Sequence, residues 1–108
     1  MTDQPKPMNV ALLEWRAFRK NSLLGFAKIR LGALKMSDLT VHASHGKRWV
    51  GLPARPVLGQ DGKPQTDDKG KVRYAAILEW DNRDTGDRFS EAVIQAIERE
   101  FPGATSAQ

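Results

Sequence analysis

The chain has 108 residues, 40% hydrophobic and 28% charged, a size and composition that suit one globular domain with a single buried core. It contains no cysteine, which excludes a disulfide scaffold, a zinc ribbon, a thiol nucleophile and a cysteine-held cluster. Seventeen Lys and Arg against thirteen Asp and Glu give a formal charge of +4, a first hint of an anionic partner.

Residues 1–8, with Pro5 and Pro7, read as a flexible tail, with no apolar run behind a basic start. No stretch approaches the ~20 apolar residues of a membrane span, so a soluble, cytoplasmic protein with no membrane partner is expected. Val10 to Phe18 mixes both periodicities and is read as a first strand ended by Asn21-Ser22. Leu23 to Leu31 alternates, placing Gly25, Ala27, Ile29 and Leu31 on one face and Phe26, Lys28 and Arg30 on the other. After Gly32-Ala33, Leu34 to His42 resumes the alternation and completes a hairpin. Lys47 to Pro53 sets Arg48, Val50 and Leu52 opposite Lys47, Trp49 and Gly51, before prolines end regular pairing.

Residues 56–70 are polar and rich in turn formers, longer than an ordinary hairpin loop. Val72 to Trp80 is predicted as the last strand. Asp84 is the expected N-cap of a helix running from about Thr85 to Phe101, with Phe89, Ala92, Val93, Ala96, Ile97 and Phe101 as its apolar stripe. Pro102 and Gly103 stop it, and residues 103–108 read as a second tail. The expected architecture is α+β: an antiparallel sheet of four or five strands followed by one C-terminal amphipathic helix, in a single domain over residues 9–102. One helix covers only one face of such a sheet, leaving the other for solvent, nucleic acid or a second subunit.

Charge is polarised along the chain. Between Trp15 and Arg55 nine Lys and Arg face the single acid Asp38, a net +8, whereas Glu79 to Glu100 holds seven acids against three arginines, a net −4. That is the pattern of a surface that meets a polyanion beside one that avoids it. The residues expected to contact nucleic acid are Arg16, Arg19, Lys20, Lys28, Arg30, Lys47, Arg48, Arg55 and Arg73 through phosphate, with Phe26 and Trp49 as stacking residues. Singly, each aromatic is more at home in a core or a dimer interface. His42 and His45 lack a third ligand, and Asp81, Asp84 and Asp87 sit where turns and a helix N-terminus already want acids. No catalytic group, metal or cofactor is therefore expected.

Residues 36–56, in which Leu39, Val41, Gly46, Trp49, Val50, Leu52 and Pro53 hold the key places, followed by Asp61-Gly62, resemble the SpoVG family of small bacterial DNA-binding regulators. The resemblance spans Leu34 to Gly62 and departs from the family at Asn9 to Ser22 and at the acidic Asp81 to Asp87 turn. It implies a homodimer with sheet pairing between subunits and DNA contact through basic residues after the sheet. The whole chain also resembles short phage and prophage proteins. The expected function is non-catalytic binding of nucleic acid, DNA favoured and single-stranded DNA first, on a basic sheet face. The rivals are a SpoVG-like regulator of double-stranded DNA and a protein-interaction or replication-accessory module that binds no nucleic acid.

Overall fold

A computed structural model describes residues 8–106. The element order is β1 (Val10–Lys20), β2 (Leu23–Leu31), β3 (Leu34–Ser44), β4 (Lys47–Gly51), β5 (Ala54–Pro56), β6 (Tyr74–Ala76) and α1 (Arg83–Glu100). Strands β1 to β4 form an antiparallel meander in chain order, and β5 with β6 forms a separate two-stranded ribbon. The α+β expectation holds, with four strands in the main sheet.

Two-residue turns set the register of the meander. At His45-Gly46 both residues have positive φ (51° and 77°), the backbone twist that matches the flanking strands of a tight hairpin. Pairing then follows the predicted faces. Val10, Leu12, Trp15 and Ala17 stand opposite Leu31, Ile29, Ala27 and Gly25, while Ala11, Glu14 and Arg16 stand opposite Arg30, Lys28 and Phe26. A bulge between Leu12 and Glu14 and another between Leu39 and Met36, where Asp38 takes φ 58°, keep both faces in phase across the sheet.

The core lies between one sheet face and α1. Ala27, Ile29, Leu39 and Val41 pack with Phe89, Val93, Ile94 and Ile97 of the helix. Trp15 lies against Gly25, where a Cβ would fall 2.7 Å from the indole and 2.5 Å from the Arg16 carbonyl, so only glycine fits. The edge of β4 is closed by the helix, because Ser90 Oγ accepts the Val50 N–H (3.1 Å).

Three expectations need correction. The helix starts earlier than predicted: Asn82 is the N-cap, its Oδ1 accepting from Thr85 N (2.8 Å) and Thr85 Oγ1 (2.9 Å), and Asp84 instead lies in the first turn beside Arg88. The predicted strand Val72 to Trp80 shrinks to Tyr74–Ala76 and pairs with β5, not with the main sheet. The rest of its apolar run has other uses, Trp80 packing on Phe89 (ring centroids 4.9 Å apart) and over Gly86.

The polar stretch of residues 56–70 is an ordered arm. Val57 N–H donates to Arg73 O, Arg73 N–H to Gln65 O, and Gln65 N–H to Val57 O, all at 2.8–2.9 Å, so three backbone segments close a ring.

The third correction concerns the C-terminus. Residues 103–106 fold back on the domain, and Thr105 is fully buried. Of the tail expected over residues 1–8, Met8 packs against the core, while residues 1–7, like residues 107–108, lie outside the described residues.

Candidate nucleic-acid interface

The sheet face turned away from α1 has no covering element among the described residues. By register it carries Arg16 and Lys20 on β1, Phe26, Lys28 and Arg30 on β2, Lys35, Thr40 and His42 on β3, and Lys47 and Trp49 on β4. Six cations thus share this face with the carboxylates of Glu14 and Asp38. Arg30 and Lys35 stand directly opposite each other across β2 and β3. Like charges paired in this way destabilise a sheet unless an anion bridges them.

Aromatic groups interleave with the cations. The guanidinium of Arg16 lies 5.1 Å from the centre of the Phe26 ring, and Phe18 leans on the same ring at 6.2 Å. Phe26 is half-buried between them, whereas Phe18 is exposed. At the other end, Trp49 stacks on His42 with ring centroids 5.3 Å apart and planes 6° from parallel. Burial lowers the His42 pKa, and its Nδ1 is hydrogen-bonded to Ser22 Oγ (3.1 Å), so the imidazole is neutral at pH 7. Trp49 keeps 40% of its surface exposed, enough to offer an indole face to a base.

The structure therefore brings Arg16, Lys20, Phe26, Lys28, Arg30, Lys47 and Trp49 onto one surface. It separates the other predicted residues from it. Arg48 projects to the helix side and donates from Nη1 to Thr105 Oγ1 (2.9 Å). Arg19 does the same at the sheet's end, donating to the carbonyls of Ser106 (3.2 Å) and Ala104 (3.4 Å). Arg55 on β5 and Arg73 just before β6 belong to the arm. Alternation already set Arg48 apart from Lys47 and Trp49; what the sequence hides is that both arginines have partners far along the chain.

Two contributors to the face were missed. Phe18 follows from the same alternation as Arg16 and Lys20. The apposition of Lys35 with Arg30 requires the register, which period-two patterning alone does not fix.

Glu98 organises the opposite side. Its pKa is lowered to about 2, first by the Thr105 hydroxyl and then by the backbone N–H groups of Gly103 and Thr105. The distances are 2.6, 2.9 and 2.8 Å. Among the described residues no group of three His, Asp or Glu side chains is placed to hold a metal ion. No described helix is long and apolar enough to cross a membrane. No family model, curated protein or solved structure matches the chain.

Proposed function

We propose that this protein binds nucleic acid without catalysis, single-stranded DNA in preference, on the uncovered face of the β1–β4 sheet. The observation that carries the reading is the union, on one exposed face, of six cations with Phe18, Phe26 and Trp49. A flat, basic, aromatic surface suits an unpaired strand, since every base has a π-face to stack and every linkage a phosphate to neutralise. A duplex hides its base faces and rewards a helix or ribbon that enters a groove, and here the helix is acidic and packed on the far side.

We also propose that the protein works as a homodimer, joined through the β5–β6 arm. Leu58, Val72, Tyr74, Ile77 and Leu78 are all exposed along it. A two-stranded ribbon is marginal in water by itself, and its open edges invite pairing with a second copy.

Fluorescence anisotropy with labelled oligonucleotides at several salt concentrations tests the nucleic-acid reading. If all six cations meet phosphate, log K should fall with log salt at a slope of about −4 for a single strand. Lys28→Glu combined with Arg30→Glu should weaken binding by at least about tenfold at 50 mM salt and flatten that slope. Absence of binding at low salt overturns the reading. Tighter binding to duplex favours a regulator of double-stranded DNA.

A further inference from the structure

We infer that the hollow between β1, β2 and β3 on the uncovered sheet face reads a single unpaired guanine, with Asp38 as the residue that selects it. The inference rests on the nucleic-acid reading and names the base that the same face prefers.

The hollow, of about 190 Å³, is lined by Glu14, Arg16, Phe26, Lys28, Ser37 and Asp38. It lies where two of the sheet's four register shifts, Leu12/Glu14 on β1 and the one between Met36 and Leu39 on β3, fall at one level of the sheet. Bulges commonly re-aim a side chain, and Asp38 at φ 58° is in the left-handed region within a strand. That conformation is costly for any residue but glycine, and Asp and Asn tolerate it best.

Its charge makes Asp38 stand out. A carboxylate on a face built to meet phosphate opposes that contact. Glu14 is offset by Lys28, its direct cross-strand partner. Asp38 has no ion-pair partner among the described residues, although Arg16 and Lys28 line the same hollow. An acceptor-only group beside an aromatic floor is suited to a base edge that presents donors. The Watson–Crick edge of guanine offers two parallel donors, N1–H and the 2-amino group, which match the two oxygens of one carboxylate. That edge is free only when the strand is unpaired.

The remaining groups complete the site. Arg16, laid on the Phe26 ring at 5.1 Å, presents the outer face of its guanidinium as a platform for the base. Ser37 supplies a hydroxyl for the O6 side, and Lys28 meets the flanking phosphate. Thymine and cytosine lack the paired donors, and adenine places an acceptor where guanine has N1–H.

Labelled d(TG)6, d(TA)6, d(TC)6 and (dT)12 should be titrated into the full-length chain, its Asp38→Asn variant and its Asp38→Gly variant. The wild type should bind d(TG)6 about tenfold more tightly than the other three, the discrimination expected of one bidentate contact. Asp38→Asn keeps a residue that accepts the left-handed backbone and should bring all four affinities within about twofold, with (dT)12 bound as tightly as before or more tightly. Asp38→Gly should erase the preference in the same way while raising the urea midpoint, since glycine relieves the backbone. Equal, salt-dependent binding of all four oligonucleotides by the wild type would overturn the guanine assignment and leave the nucleic-acid reading standing. A guanine preference that persists in Asp38→Asn would place the reader elsewhere. No binding of any oligonucleotide would fail both.

Discussion

His42 shows how one side chain couples the sheet's stability to pH. Its ring is stacked on Trp49, bonded to Ser22 and partly withdrawn from water, and burial lowers its pKa below the ordinary value of 6.5. The unfolded chain therefore binds a proton at a higher pH than the folded one. The stabilisation is complete above pH 6.5 and is lost as pH falls through the folded-state value. Urea midpoints at pH 7.5 and 5.5 should show the lower value at pH 5.5, and His42→Gln should reduce the difference while lowering both. At the same scale, Gly25→Ala drives a methyl into the Trp15 indole and the Arg16 carbonyl, and backbone cannot yield as a flexible side chain does. We expect a loss of about 1–3 kcal/mol by denaturant unfolding, the usual cost of overpacking a close contact.

Among the elements, the clasp of α1 on the C-terminal segment behaves as a unit. Glu98 accepts three hydrogen bonds from Gly103 and Thr105, Arg48 adds a fourth to the Thr105 hydroxyl, and Arg19 binds the flanking carbonyls. Because the Glu98 pKa is depressed to about 2 from an ordinary 4.5, its contribution is full above pH 4.5 and is lost as pH falls toward 2. Thr105→Val removes the hydroxyl at the centre and strands the groups around it. It should cost about 1–3 kcal/mol, as a broken buried hydrogen bond to a charged group does, and should reduce the acid dependence of unfolding between pH 4.5 and 2.

The clasp also marks where the sequence stops being legible. Period-two alternation in β2 and the apolar stripe of α1 are local patterns, and they place Ala27, Ile29, Phe89, Val93, Ala96 and Ile97 in the core as expected. They miss Leu24 and Ile94, which are buried, and include Phe101, which lies past the last helical turn and is exposed. A polar ending such as Gly-Ala-Thr-Ser reads as tail because its burial depends on Arg48 and Arg19, which are remote in sequence. Asn82 and Asp84 are equally good caps, and only backbone geometry separates them. The apolar run before the helix has strand composition, yet just three of its residues find a partner strand, while Trp80 joins the helix. Of the candidate site, the basic alternation of β2 and β4 was visible. The hollow at Asp38 was not, because it is made by two bulges, and bulges leave no periodic trace.

The whole molecule is longer than its size requires. Its radius of gyration is 15.5 Å, against about 13 Å for a compact domain of this length, and its principal extents are 56, 31 and 25 Å. Charge is distributed across it, with the basic uncovered face of the sheet opposite the acidic helix, a polarity that would steer a polyanion to one side if the proposed reading holds. The β5–β6 arm is the part least supported from within. Its strands pair with each other, three residues each, and it exposes Leu58, Val72, Tyr74, Ile77 and Leu78. Exposed apolar side chains of this density mark an interaction surface more often than a solvated one.

If two copies meet arm to arm, their uncovered sheet faces become two sites on one particle, and linking the sites raises avidity for a long strand without any new contact to it. Sedimentation equilibrium at micromolar concentration should give about twice the 12.0 kDa chain mass for the wild type. Ile77→Asp, which puts a charge on the apolar arm away from the core, should give the monomer mass with an unchanged circular dichroism spectrum. The same variant should bind (dT)12 with near-native affinity and lose about tenfold or more on a 40-mer that spans both sites. A wild-type monomer at micromolar concentration, or an Ile77→Asp variant that still dimerises, would remove the arm from that role and leave the single sheet face as the binding unit.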